Sequence, residues 1–223
     1  ALIHDSRIVS SQNLIPAMPA SVKHYISASA ISFYPSDDTR CYTEQDSRAV
    51  PTKPSDFASR IVHDWEAAAD KAARQERRVV KLRIGLVLGD SGLLARLLPV
   101  YRMGLGGPIG DGRQWLSWIH VTDLIQAVQF ILDDEQISGP VNLAAPQPER
   151  FQDFSRTLAS VLNRPHFLRV PRIALQLGMG EAAELALASI CMQPKRLLDA
   201  GFRFEFPELE NALQDLTSGP ARL

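Results

Sequence analysis

Residues 79–88 read VVKLRIGLVL, an almost unbroken run of apolar and β-branched side chains. Such runs are typical of parallel strands, because helices cover both faces of a parallel sheet. We predict one strand over residues 79–88, a second over residues 22–30 and a third over residues 140–144. Amphipathic segments lie between these strands. Strands that alternate with helices indicate an α/β fold with a mostly parallel sheet.

The other elements of this part follow from periodicity and from capping residues. The sequence begins without Met and inside a helical pattern, which predicts that a further segment precedes Ala1. Helices are also predicted from about residue 55 with Ser55 and Asp56 as the cap, over residues 92–101, and over residues 123–132 with Thr122 as the cap. A polar loop over residues 34–54, a glycine-rich loop over residues 104–112 and a strand over residues 114–119 complete this part.

The pattern changes at Glu149, after which helices dominate. They are predicted over residues 151–162, in one or two pieces over residues 174–192, over residues 195–200 and over residues 208–216. Three phenylalanines alternate in FRFEF, residues 202–206, and predict a small strand. We therefore expect an α/β unit at residues 1–148 and a mainly helical C-terminal subdomain at residues 149–223.

Composition excludes several function classes. The chain has 24 Lys and Arg against 25 Asp and Glu, so it lacks the basic excess of a nucleic-acid-binding protein. No apolar run approaches the roughly 18 residues that a membrane helix needs. Cys41 and Cys191 show no metal-site spacing and predict unpaired thiols in a reducing compartment. We expect a cytoplasmic protein that binds a small-molecule substrate and no metal, nucleic acid or membrane.

Several segments carry a resemblance to a known family: ISASAISFYP, DFASRIVHDWEAAA, LRIGLVLGDSG, GLGGPIGDGRQWLSWIHVTDL, GPVNLAAPQP and PKRLLDAGFRFEFPELENAL. Together they resemble the sugar-nucleotide epimerase-like branch of the extended short-chain dehydrogenases/reductases. The resemblance implies a Rossmann-type sheet that binds NADP(H), with NAD as a second possibility. It places the substrate between that sheet and the C-terminal subdomain.

The sequence departs from the family in its glycines. A dinucleotide-binding fingerprint has a strand followed by glycines at a helix start, where backbone N–H groups hold the pyrophosphate. The glycines of residues 104–112 follow a predicted helix and precede a strand, which is the reverse order. We therefore predict that the N-terminal strands of the Rossmann-type domain are missing from this chain. The glycine-rich loop is either a tight turn or a lining of the substrate cleft.

The resemblance also implies roles for individual residues. Ser29 matches the catalytic Ser or Thr of the family, whose hydroxyl hydrogen-bonds a substrate carbonyl or alcohol; its alternative is packing under a helix. The implied cofactor contacts are Arg7, Ser27 and Val87. The implied substrate contacts are Arg113 and His120, although His120 equally fits a hydrogen bond to the backbone. Asp123 is predicted to act as a charge partner of a helix N-terminus.

A second departure concerns catalysis. Extended short-chain dehydrogenases carry Tyr-x-x-x-Lys on the helix after residue 55, where Lys lowers the pKa of the Tyr phenol for proton exchange. This chain has Phe57 and Ile61 there, and Glu66 is predicted to be a carboxylate on the helix surface. Two functions stay open: an NADP(H)-dependent epimerase or reductase acting on a small polar or nucleotide-linked substrate, and a non-catalytic NADP(H)-binding or protein-interaction member of the same fold.

Overall fold

The computed structural model describes residues 2–46, 57–75, 77–168 and 188–218. The helices are α1 Leu2–Ala17, α2 Phe57–Ala69, α3 Gly92–Arg102, α4 Val121–Asp133, α5 Phe151–Val161, α6 Lys195–Asp199 and α7 Leu209–Ser218. The strands are β1 His24–Ala30, β2 Cys41–Tyr42, β3 Arg78–Ile84, β4 Leu86–Leu88, β5 Trp115–Leu116, β6 Trp118–His120, β7 Gly139–Leu143, β8 Glu149–Arg150 and β9 Cys191–Met192. Most of these bounds lie within two residues of the predicted ones.

The central sheet has the strand order β1-β3-β7, and both of its strand pairs are parallel. Residues 29 and 83 are opposite each other in β1 and β3, as are residues 84 and 143 in β3 and β7. Helices alternate with these strands along the chain, and the predicted α/β fold with a mostly parallel sheet is confirmed. The carboxyl ends of β1, β3 and β7 therefore meet at one edge of the sheet.

The single strand predicted over residues 79–88 is wrong at Gly85, where β3 ends and β4 begins. The Gly85 N–H donates to the carbonyl of Leu143, whereas the next N–H, of Leu86, donates to the carbonyl of Ser117. The chain thus leaves β7 and pairs with β6 in parallel. A Cβ at residue 85 would lie 2.6 Å from the Ser117 oxygen, so the change of partner requires glycine. The strand predicted over residues 114–119 is likewise divided at Ser117, into β5 and β6.

The two faces of the central sheet differ in chemistry because alternate side chains of a strand point to opposite faces. The face packed against α4 is apolar and contributes Val80, Leu82, Val141 and Leu143 to a buried cluster with Ile131. The other face of β1 and β3 carries polar residues, among them Ser27, Ser29 and Arg83, and is covered by α2. A second apolar cluster joins β6 to α5 and α7. The buried polar side chains of the three strands thus lie on the face covered by α2.

The strand predicted over residues 202–206 is also wrong. Phe202 and Phe204 pack edge to face with ring centroids 4.8 Å apart. The backbone N–H groups of Glu205 and Phe206 donate to the Asp123 carboxylate at 2.7 and 3.0 Å, so a side chain takes the place of a strand partner. Asp123 is fully buried and binds a distant segment of backbone. The cap of α4 is His120 rather than Thr122.

The prediction of unpaired thiols is wrong, because Cys41 and Cys191 form a disulfide. They are directly opposite in the parallel pair β2–β9, with Cα atoms 4.4 Å apart. The helix predicted over residues 174–192 is wrong at its end, where residues 188–190 are irregular and residues 191–192 form β9. Residues 174–187 of that predicted helix and the predicted cap Ser55–Asp56 lie outside the described residues.

Two expected absences concern membranes and metals. None of the described helices is long and apolar enough to span a membrane. Within the described ranges, no group of three or more His, Cys, Asp and Glu side chains is arranged to hold a metal ion. Cytoplasmic location and the division at residues 148 and 149 stay predictions.

Candidate functional site

The site begins at Ser29, near the carboxyl end of β1. Alternation along β1 turns Ser27 and Ser29 to the same face, under α2. The Ser29 hydroxyl donates to Glu66 Oε1 at 2.7 Å, and each of these two residues is only 4% exposed. The prediction of Glu66 as a surface carboxylate is therefore wrong. The buried stripe of α2 passes through Ile61, Val62 and Glu66, whereas Phe57 is 52% exposed.

Arg83 holds the Glu66 carboxylate with two hydrogen bonds. Its Nε donates to Oε1 at 2.8 Å and its Nη2 to Oε2 at 2.9 Å, a geometry that suits a planar guanidinium. Arg83 lies opposite Ser29 in the parallel register, so both side chains reach the same carboxylate. Burial opposes ionisation of Glu66, but the hydrogen bonds and charge of Arg83 outweigh it and hold the pKa of Glu66 below its ordinary value. Glu66 is therefore a carboxylate at neutral pH.

Tyr34 extends this network on the other side of Arg83. Arg83 Nη1 donates to the Tyr34 hydroxyl at 2.9 Å, and that hydroxyl donates to Asn142 Oδ1 at 2.8 Å. The Phe33 ring stacks under the guanidinium, 3.3 Å from its central carbon. Burial raises the pKa of Tyr34 to about 12, so this phenol is protonated at neutral pH. Its hydroxyl is held between Arg83 and Asn142.

The chemistry of Ser29 follows from its partner. A serine hydroxyl has one proton and two lone pairs. The proton of Ser29 is donated to an ionised carboxylate, which leaves only the lone pairs for a third group. Ser29 can therefore accept a hydrogen bond from a hydroxyl or an N–H group. It cannot donate one to a carbonyl while it stays bound to Glu66.

The three predicted cofactor contacts lie on different elements. Ser27 is buried, and its hydroxyl donates to the carbonyl of Ala28 at 3.1 Å. Arg7 lies on α1, where Nη1 donates to the Ile3 carbonyl and the guanidinium lies 5.4 Å from the Trp65 ring. Val87 is partly buried in β4. Ser27 thus shares a face with Ser29, and Arg7 contacts the residue of α2 that precedes Glu66.

Arg113 is exposed at the end of the glycine-rich loop, and its carbonyl accepts from Arg150 Nη1. Arg150 stacks on the Trp115 ring at 3.6 Å and donates from Nη2 to the carbonyl of Asp38 at 2.8 Å. Trp115 Nε1 donates to the same carbonyl at 3.0 Å. The end of the glycine-rich loop is thereby joined to the segment that follows β1.

His120 lies at the junction of β6 and α4 and is almost completely buried. Its Nδ1 accepts from the Thr122 N–H at 3.1 Å, and its ring stacks on Phe206 with centroids 4.0 Å apart. Nε2 lies 3.3 Å from Asp215 Oδ2. Burial lowers the pKa of His120, although Asp215 opposes this effect. These contacts favour the structural alternative for His120, and its role in substrate binding stays a prediction.

The lowered pKa of His120 predicts a stability change in weak acid. A histidine whose pKa is lower in the folded than in the unfolded state stabilises the fold above its ordinary pKa of about 6.5, and this contribution is lost as the pH falls through the folded pKa. We expect the free energy of unfolding to fall from about pH 7 to about pH 5. His120→Asn retains a capping acceptor but has no titrating ring, so its free energy of unfolding should fall less over the same pH range. Urea unfolding at each pH measures the free energy of unfolding of both proteins. An equal fall in the parent protein and in His120→Asn would contradict the lowered pKa assigned to His120.

A cavity of about 520 Å³ lies at the opposite end of the sheet. Its lining includes the first residues of β1, β3 and β7: His24, Arg78 and Gly139. Ligands of open α/β sheets bind beyond the carboxyl ends of the strands. The reaction site is therefore expected at the Ser29 end and not in this cavity.

The residues present fit one end of a dinucleotide. Ser29, near the carboxyl end of β1, is polar and Val87, in β4, is apolar, and these are the residue types that would contact a nicotinamide and its substrate. No G-x-G-x-x-G sequence occurs in the 223 residues. β4 runs through Gly89 and Gly92 into α3, but this turn has two glycines where the fingerprint has three. The turn from β4 to α3 therefore does not match the pyrophosphate-binding fingerprint.

Comparison with known families covers most of the chain. The sequence model of the NAD dependent epimerase/dehydratase family matches residues 1–144, and that of a domain of unknown function, DUF1731, matches residues 170–216. Epimerase family protein SAR0825 of Staphylococcus aureus is 39% identical over 218 residues, which are 96% of this chain and 71% of that protein.

Two solved structures are similar in fold and sequence. Human epimerase family protein SDR39U1 (isoform 2), solved with NADPH, has a TM-score of 0.84 and 31% identity, covering 97% of this chain and 74% of that one. The nucleoside-diphosphate sugar epimerase of Corynebacterium glutamicum has a TM-score of 0.79 and 27% identity, covering 99% of this chain and 44% of that one.

Proposed function

The chain belongs to the NAD dependent epimerase/dehydratase family, and from this premise we propose that it is an NADP(H)-dependent epimerase/reductase-like protein acting on a small polar or nucleotide-linked substrate. The observation that carries the proposal is the Ser29 hydroxyl, fixed by Glu66 and Arg83 near the carboxyl end of β1. That is the edge at which open α/β sheets bind their ligands. The solved relative with NADPH supports the choice of cofactor.

Three residues would hold the cofactor in this proposal. Val87 provides apolar contact, Ser27 a hydroxyl beside Ser29, and Arg7 a guanidinium that can bind phosphate with paired hydrogen bonds. When bound, NADP(H) supplies or accepts the hydride. The protein's part is to orient the two reactants and to exclude water.

Ser29 would orient the substrate as a hydrogen-bond acceptor. The Ser29 hydroxyl donates its proton to Glu66 in a hydrogen bond, so its oxygen can only accept one from the substrate. The substrate group must therefore carry a proton, as a secondary alcohol does. Arg113 would bind a phosphate or carboxylate of the substrate at the mouth of the cleft. Because α2 has Phe57 in place of tyrosine, the role proposed for Ser29 is to position the alcohol.

Turnover measurements on two serine variants test this proposal. NADPH formation from NADP⁺ is followed with a panel of small secondary alcohols and nucleotide-linked sugars, whose hydroxyl groups can donate a hydrogen bond to the Ser29 oxygen. Ser29→Ala should lower kcat by about 10²-fold or more with little change in the Kd for NADPH. Ser27→Ala is the matched control on the same face of β1, and it should raise the Kd for NADPH and leave kcat nearly unchanged. Equal kcat values for Ser29→Ala and the parent protein would overturn the assignment of Ser29.

Phe57 and Ile61 favour a second function, that of a non-catalytic NADP(H)-binding protein. Neither side chain can exchange a proton at the positions where the family carries Tyr and Lys. Saturable NADPH binding with no NADPH formed from NADP⁺ across the whole panel would favour this alternative. NADPH formation with any member of the panel would favour the enzyme.

A further inference from the structure

We propose that the Cys41–Cys191 disulfide is a thiol-exchange site, which glutathione or another small thiol opens at Cys41 and thereby loosens residues 34–46. We call these residues the clasp segment. They follow β1 and contain Tyr34, β2 and Glu44. The inference concerns the two sulfurs and their segments only, and it holds whether or not the protein binds NADP(H).

The two cysteines differ in their access to solvent. Cys41 is exposed at the start of β2, whereas Cys191 is 0% exposed and lies in β9 beside the buried Met192. Thiol exchange requires a thiolate to approach one sulfur of the disulfide from outside. Of the two cysteines, Cys41 is the exposed one, so the proposal places the approach of the thiolate on the Cys41 side.

The exchange proceeds in two balanced steps. A glutathione thiolate attacks Cys41 Sγ, the bond to Cys191 breaks, and the electron pair leaves on Cys191 Sγ, which takes up a proton. A second thiolate attacks the glutathione sulfur of the mixed disulfide and frees Cys41 as a thiolate. Two glutathione thiols are thus oxidised to one glutathione disulfide as one protein disulfide is reduced. The reverse sequence closes the site again.

The disulfide is the covalent member of a set of tethers on the clasp segment. The others are hydrogen bonds: Asp37 N to the Ser189 carbonyl, Gln193 N to the Tyr42 carbonyl, and Asn142 N to Glu44 Oε1. These bonds can re-form after the disulfide opens, so reduction should make them open more often without unfolding the protein. Tyr34 of the same segment donates to Asn142 and accepts from Arg83. The clasp segment therefore also contacts Arg83, the residue that holds Glu66.

Single-cysteine variants test the difference in access. Cys191→Ser and Cys41→Ser are incubated with glutathione disulfide, and the glutathione adduct is followed by intact mass. Cys191→Ser keeps the exposed thiol and should react about 10-fold or more faster than Cys41→Ser. In a second experiment, dithiothreitol is added to the parent protein. It should give the protein with Cys41 and Cys191 both reduced and with no lasting adduct. Equal rates for the two variants would overturn the proposal.

Hydrogen exchange on the unaltered sequence tests the consequence. The protein is compared with its disulfide closed and after reduction. Amide exchange at Asp37 and Gln193 should become about 10-fold or more faster on reduction, while exchange in α4 stays unchanged. Exchange that is equal in the two states at Asp37 and Gln193 would show that the disulfide does not restrain the clasp segment, and would overturn this part of the proposal.

Discussion

Arg83→Met should lower the free energy of unfolding by about 3 kcal/mol, the lower end of the 3–5 kcal/mol that removing one partner of a buried ion pair costs. The variant leaves the Glu66 carboxylate buried with two hydrogen bonds lost. Lys81 Nζ remains 3.6 Å from Glu66 Oε2 and offsets part of the loss. Urea unfolding at neutral pH measures the change.

The matched control replaces both partners. Glu66→Leu combined with Arg83→Met removes the pair without leaving a buried charge, and it should be clearly more stable than Arg83→Met alone.

The contribution of Glu66 to stability depends on pH with a definite sign. The pKa of Glu66 is lowered on folding, so its stabilising contribution is present above its ordinary pKa of about 4.5 and is lost as the pH falls through the folded value. If Arg83→Met were as stable as the parent protein, this would contradict the assignment of Glu66 as a buried, ionised carboxylate.

Reduction of the Cys41–Cys191 disulfide should lower the free energy of unfolding by about 2–5 kcal/mol. The cysteines are 150 residues apart in sequence, so the disulfide restricts a large loop of the unfolded chain. Urea unfolding with and without a phosphine reductant measures the effect. The double variant Cys41→Ser, Cys191→Ser is the control, and the reductant should not change its stability. A parent protein that is equally stable with and without reductant would contradict the disulfide.

Most of the fold could be predicted from local patterns. The continuous apolar run at residues 79–88 places the central strand because it needs no information from elsewhere in the chain. The division of that strand at Gly85 depends on the Ser117 carbonyl, and β9 depends on pairing with β2. Such contacts join residues far apart in sequence, so periodicity does not predict them.

The candidate site could be predicted only in part. The end of β1 and the hydroxyl of Ser29 follow from the strand pattern. The role of Glu66 does not, because its partner lies 37 residues away and its neighbour Trp65 fits an apolar stripe equally well. One signal was present: Val62, Glu66 and Ala69 follow each other at helical spacing, and the structure buries all three. The Tyr34–Asn142 bond spans 108 residues and left no local signal.

Calorimetric titration with NADPH tests the central claim most directly, that this epimerase-family chain binds NADP(H) at the Ser29 edge of its sheet. We predict saturable binding at one site per chain, weakened about 10-fold or more by Arg7→Ala, as expected for the loss of an arginine–phosphate contact. Arg113→Ala, at the substrate side of the cleft, should leave the Kd unchanged. The absence of heat and of saturation with the parent protein would contradict the claim.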